Sequence, residues 1–142
     1  EEFADIYLKV AFAAILADGE IADEEILALK KFNENEYYLS GFDLESQIIK
    51  YQNKFIARGY IVIKTILNEL ASADISDSQK LILLNLAIKI VRADKLITLD
   101  EITFITQLTS NLKIANFIIE SNHPNWWLID HSPSIDTVEK NQ

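Results

Sequence analysis

The chain has 142 residues, 49% of them apolar and 25% charged, with a formal net charge of −9. That length suits one compact domain, and the composition supplies a buried core, so wholesale disorder is excluded. The acidity argues against a nucleic-acid partner, the lack of cysteine excludes disulfides and thiolate metal sites, and two histidines are too few for a His-rich zinc site.

Helical period dominates from the start. Phe3, Ile6, Tyr7, Val10, Ala11 and Ala14 fall at helical spacing, and the segment is apolar almost all round by Ala17, which predicts a helix central to the core. Ala17-Asp18-Gly19 supplies a stop, because glycine tolerates the left-handed conformation that closes helices. A second helix is predicted from about Ala22 to about Phe32, with Asp and Glu crowding its first turn as the macrodipole prefers. Asp43 reads as the N-cap of a third, with Leu44, Ile48, Tyr51 and Phe55 at helical steps; Gly59 punctuates, and Tyr60, Ile63, Leu67 and Leu70 form a fourth stripe.

Ser76-Asp77-Ser78-Gln79 matches a capping box and opens a fifth helix, with Leu81, Leu84, Ile88 and Val91 on one stripe. Thr98-Leu99-Asp100-Glu101 is another, with Ile102, Ile105 and Leu108 inward. A short last helix is expected from about Leu112 to about Glu120, ended by Asn122-His123-Pro124-Asn125. The expectation is an all-α, single-domain bundle of about six or seven helices over residues 1–121. An extended tail over 122–142, anchored by Trp126 and Trp127, follows it.

The chain starts at Glu1 and has no methionine, so it is read as a trimmed form of a longer product. The longest apolar run, Val10 to Ala17, is too short to span a bilayer, and a cytoplasmic protein is expected. No enzyme is expected either. There is no thiol, His123 and His131 both lie in the tail, the glycines stand apart, and Arg58 and Arg92 are the only arginines. No catalytic residue and no organic cofactor is assigned. Carboxylates at helix starts are expected to sit in water, where their pKa stays too low for acid–base work.

Charge is lopsided along the chain. Residues 1–50 hold twelve acidic and four basic side chains, and residues 51–142 hold ten and nine. Asp18, Glu20, Asp23, Glu24 and Glu25 crowd one short stretch, which costs self-repulsion unless something offsets it. That stretch is also repeated. At an offset of 76, ADGEIADEEI (Ala17 to Ile26) lies on ADKLITLDEI (Ala93 to Ile102), with Ala17/Ala93, Asp18/Asp94, Ile21/Ile97, Glu25/Glu101 and Ile26/Ile102 identical. Each copy follows an apolar helix and precedes an amphipathic one, so two pseudo-repeated helix–turn–helix hairpins are predicted.

The repeated motif resembles the TerB family, the tellurite-resistance-associated helical domain that also occurs in DnaJ-like membrane co-chaperones. The resemblance implies an all-α fold, a divalent cation held by the motif acids Asp18, Glu25, Asp94 and Glu101, and work among other proteins in stress-associated, membrane-adjacent complexes. Homo-oligomers are compatible with it. The second copy departs from the pattern, with Lys95 in place of the glycine and Leu96 in place of the following acid, so Asp18 and Glu25 are the stronger pair.

An EF-hand is rejected, because its first ligand positions would fall on Ala14 and Leu16, or on Ile90 and Arg92, which offer no carboxylate. Any ion must be hard and oxygen-preferring, Ca²⁺, Mg²⁺ or Mn²⁺. Two bland readings compete. Glu25 and Glu101 occupy the third helical position, where Glu caps the chain entry, and Asp18 and Asp94 precede turns whose amides they can accept. The alternative function is an acidic helical protein-interaction domain without metal; a carboxylate-based hydrolase is a weaker third.

Overall fold

A computed structural model of the chain describes residues 3–36, 43–93 and 96–127. The fold is an all-helical single-domain bundle. Among the described residues it consists of seven α-helices and no strand: α1 (Phe3–Leu16), α2 (Asp23–Glu36), α3 (Leu44–Arg58), α4 (Ile61–Ala71), α5 (Asp77–Val91), α6 (Leu99–Leu112) and α7 (Asn116–Asn122).

The apolar-all-round helix is central, as its sequence demands. From Ile6 to Leu16 every residue of α1 except Lys9 is buried. It packs lengthwise on α5, the other central helix, whose Leu83, Leu84, Leu86, Ala87, Ile90 and Val91 are also buried. The remaining helices shield this pair: α2 lies on α5, α6 on α5 and α4, α4 on α1, and α3 on α4 and α1. The repeat is visible in the helix limits, since α2 shifted by 76 residues coincides with α6 at both ends.

The caps form as the sequence dictates. Asp43 accepts from Ser46 N–H at 3.4 Å, and both predicted capping boxes are complete, Ser76 with Gln79 and Thr98 with Glu101. Gly59 ends α3 at a φ of 65°, and Gly19 follows α1 at a φ of 85°, both in the region that favours glycine.

Three expectations need correction. Helix α2 continues past Phe32 to Glu36. Leu112 does not start the last helix; it ends α6, because it is buried on the same stripe as Ile105 and Leu108. Lys113 then turns left-handed (φ 60°, ψ 45°), and α7 begins only at Asn116. The Trp-Trp anchor reduces to one ring in the core: Trp126 is buried, whereas Trp127 is 45% exposed. Arg92, just past α5, donates through Nη1 to the carbonyls of Trp126 (2.6 Å) and Asn125 (3.4 Å), which fixes this segment to the central helix. The tail from residue 128 onward lies outside the described residues.

Candidate functional site

The two copies of the repeat meet at their glutamates. Glu25 opens the first turn of α2 and Glu101 the first turn of α6, and both side chains are fully buried. Each is held by its own chain entry. Glu101 Oε1 accepts from Thr98 N–H at 3.0 Å, while Thr98 Oγ1 accepts from Glu101 N–H at 3.1 Å. Glu25 Oε1 accepts from Ala22 N–H at 3.4 Å. Alanine has no side-chain oxygen to answer with, so the Glu25 N–H turns to the Ala22 carbonyl at 3.1 Å. Ile21 and Ile26 pack on the core around the first entry, and Ile102 does so around the second, closing these caps against solvent.

Capping engages one oxygen of each carboxyl and leaves the other for the partner. Glu25 Oε2 is buried with no donor among protein N–H and O–H groups, and the Glu101 carboxyl adjoins it. Two ionised carboxylates have no hydrogen to share; the contact becomes a hydrogen bond only when a proton sits between them. The pKa of Glu25 accordingly rises from 4.5 to about 10. Burial is the main cause, followed by the hydrogen bond with Glu101, the charge of Glu101 and the charge of Asp18; the bond from Ala22 works weakly the other way. The helix N-termini also favour the charged form, each worth roughly half a positive charge, but desolvation outweighs them.

The expectation of water-exposed helix-start carboxylates is therefore overturned. Their position at N3 is local and was legible; their burial is tertiary, since the two carboxyls adjoin across 76 residues of chain and both are fully buried. The opposite holds for the rest of the acidic run, where Glu20, Asp23 and Glu24 are exposed. Asp18 is half-buried at the rim, and its Oδ1 accepts from Glu20 N–H at 3.1 Å, the turn bond expected for it. Asp94, the remaining candidate ligand, lies outside the described residues, as does Lys95. Among the described residues no group of three or more His, Asp, Glu or Cys stands close enough together to hold a metal ion.

A divalent ion fits the chemistry of this junction in one respect. Glu25 Oε2 is a hard oxygen with an unmet need for positive charge, and the Glu101 carboxyl stands beside it. Asp18 lies close enough to raise the Glu25 pKa. His123, the described member of the histidine pair, is half-buried far along the chain, and its pKa is lowered by burial and by Lys89 and Arg92; His131 lies outside the described residues. No helix among the described residues is long and apolar enough to cross a membrane. No known protein family, curated protein or solved structure matches the chain.

Proposed function

We propose that the chain is a non-enzymatic, TerB-like module that binds or senses a divalent cation at the junction of its two hairpins. One observation carries this reading: the motif glutamates of both copies, Glu25 and Glu101, meet in the core as adjoining carboxyls. Glu25 and Glu101 would hold the ion, with Asp18 as a flanking acid; Asp94 is its counterpart in the second copy by sequence. A bound Ca²⁺, Mg²⁺ or Mn²⁺ supplies the positive charge that a proton otherwise supplies there, so binding and proton release are linked. In this role the module reports cation level, or pH, to protein partners in a stress-associated complex. A second reading is favoured by the caps. The backbone bonds of Glu25, Glu101 and Asp18 account for all three as local structure, which leaves the exposed acids Glu20, Asp23 and Glu24 to dock a basic protein without metal.

Thermal unfolding of metal-stripped protein, with each ion added back, separates the two. An ion at ~100 times its dissociation constant adds about 2.7 kcal/mol and raises the midpoint. Under the first reading the rise is accompanied by proton release and is absent in Glu25→Gln and Glu101→Gln. No rise with any of the three ions at millimolar concentration refutes the cation site and leaves the interaction reading.

A further inference from the structure

At a separate place from the glutamate junction, an acidic protein concentrates positive charge. Lys50, Lys54 and Arg58 follow one another at four-residue steps along α3, which places them on one stripe of the helix. Lys9 of α1 stands across from them. The pKa of Lys54 is lowered, first by burial and then by Lys50, Arg58 and Lys9. Glu69 is the acid of this group, and it pairs with Lys9 at 3.1 Å. Arg58 in the last turn of α3 is favoured by the helix dipole. Lys50 and Lys54 lie further into the helix, where like charges one turn apart destabilise it, so the stripe has no explanation in helix stability.

Lys9, Lys54 and Arg58, with Glu69 as the one acid among them, line a cleft between α1, α3 and α4 with a volume of about 160 Å³, and Lys50 stands a turn away on α3. Its floor is apolar. Val62 and Ile66 are buried, and the buried Tyr51 ring stacks on Phe12 at 4.7 Å with only 7° between the planes. Lys50 and Lys54 lie over the Tyr51 ring at 5.7 and 5.1 Å from its centroid. Thr65 adds a hydroxyl to the lining.

We propose that this cleft binds a phosphomonoester group bearing a small apolar substituent. Size, charge and floor each narrow the ligand. A cavity of ~150 Å³ accepts a benzene ring, whereas drug-sized ligands occupy ~300 Å³ or more, so a whole nucleotide is too large to enclose. A phosphomonoester carries about −1.5 to −2 charge at neutral pH and three acceptor oxygens, which suits a guanidinium fork beside ammonium groups. The apolar floor takes the substituent. The same chemistry occurs in free organic phosphates and in monoester lipid headgroups, and the exposed Ile61 in the lining is compatible with the second source.

The test titrates the full chain at low salt with phenyl phosphate, inorganic phosphate and phenol by calorimetry. Its vesicle arm uses phosphatidylcholine with phosphatidic acid, or with phosphatidylglycerol at equal surface charge. Saturable binding of phenyl phosphate, weaker binding of inorganic phosphate and none of phenol are expected. Lys54→Gln/Arg58→Gln alters two exposed side chains and should weaken binding about tenfold or more. Lys80→Gln/Lys89→Gln removes the same charge from α5 and should leave it intact. Binding to phosphatidic acid vesicles, displaced by phenyl phosphate, assigns the lipid source; binding of phenyl phosphate without vesicle binding assigns a soluble one. Three results overturn the proposal: no saturable binding to phenyl phosphate or to phosphatidic acid, equal binding to both vesicle types, or equal loss in both double variants. None depends on Glu25 or Glu101, so this site and the cation site stand or fall separately.

Discussion

Glu25→Gln keeps the shape of a protonated glutamic acid and removes its titration. In the unfolded chain Glu25 has its ordinary pKa of 4.5, and in the fold that value is raised, chiefly by burial. Below about pH 4.5 both states hold the proton, and the contribution of the group to stability is fully present. Above it the unfolded chain releases a proton that the folded chain keeps, so stability falls by about 1.4 kcal/mol for each pH unit. From about pH 5 to about pH 8 the loss reaches about 4 kcal/mol, a large part of the ~5–15 kcal/mol that holds a typical domain together. This is an upper limit for Glu25 alone, because Glu101 shares the proton. The glutamine amide donates to Glu101 in place of that proton. Urea unfolding of parent and variant, measured across this pH range with chelator present, should show a falling curve for the parent and a flatter one for Glu25→Gln. The variant should be the more stable of the two at about pH 8. Parallel curves, or a parent that gains stability as pH rises through neutrality, would refute a proton held at the junction.

The asymmetry of the two caps gives a second prediction. Ala22→Thr supplies the oxygen that Thr98 supplies in the other copy and should raise stability by about 0.5–1 kcal/mol, whereas Thr98→Ala should lower it by about 1 kcal/mol, both read from chemical denaturation. Gly19→Ala meets no atom within 4 Å, so its effect is backbone strain at a φ of 85°, about 1–2 kcal/mol of destabilisation with the fold unchanged by circular dichroism. Arg92→Ala removes the charged donor to the Trp126 carbonyl and should cost about 1.5–3 kcal/mol. In a Trp127→Phe background it should also shift tryptophan emission to longer wavelength as Trp126 becomes wet; an unshifted spectrum would show that the ring is held by its packing alone.

Much of this protein was legible because much of its information is local. A capping box needs only residues three apart, and Ser76/Gln79 and Thr98/Glu101 form as read. Gly59 and Gly19 stop or turn the chain because only the local φ matters. The apolar run of α1 announced a central helix, since a helix without a polar face has nowhere else to go. Self-comparison even aligned α2 with α6, because the same caps and stripes recur at one offset. What failed at this level was also local in origin: Leu112 carries the same apolar signal whether it ends one helix or starts the next, and only its burial beside Ile105 and Leu108 decides.

The candidate sites divide the same way. That Glu25 and Glu101 cap helices follows from their positions in the chain; that their carboxyls adjoin in the buried core follows from tertiary packing. Burial and the charge of a neighbour are properties of packing, and they turn an ordinary carboxylate into one that keeps its proton. The basic cleft is the plainer case. The four-residue spacing of Lys50, Lys54 and Arg58 is visible in the sequence, but in a chain of net charge −9 it reads as a solvated stripe. Lys9 lies 41 residues before Lys50 in the numbering, and only the packing of α1 against α3 and α4 brings it across the cleft and adds the apolar floor. Sequence determined the helices, their ends and their buried faces, because these depend on neighbours within a turn or two. Tertiary structure decided which charged groups lose water and which meet, because solvation and Coulomb energy depend on distance in space.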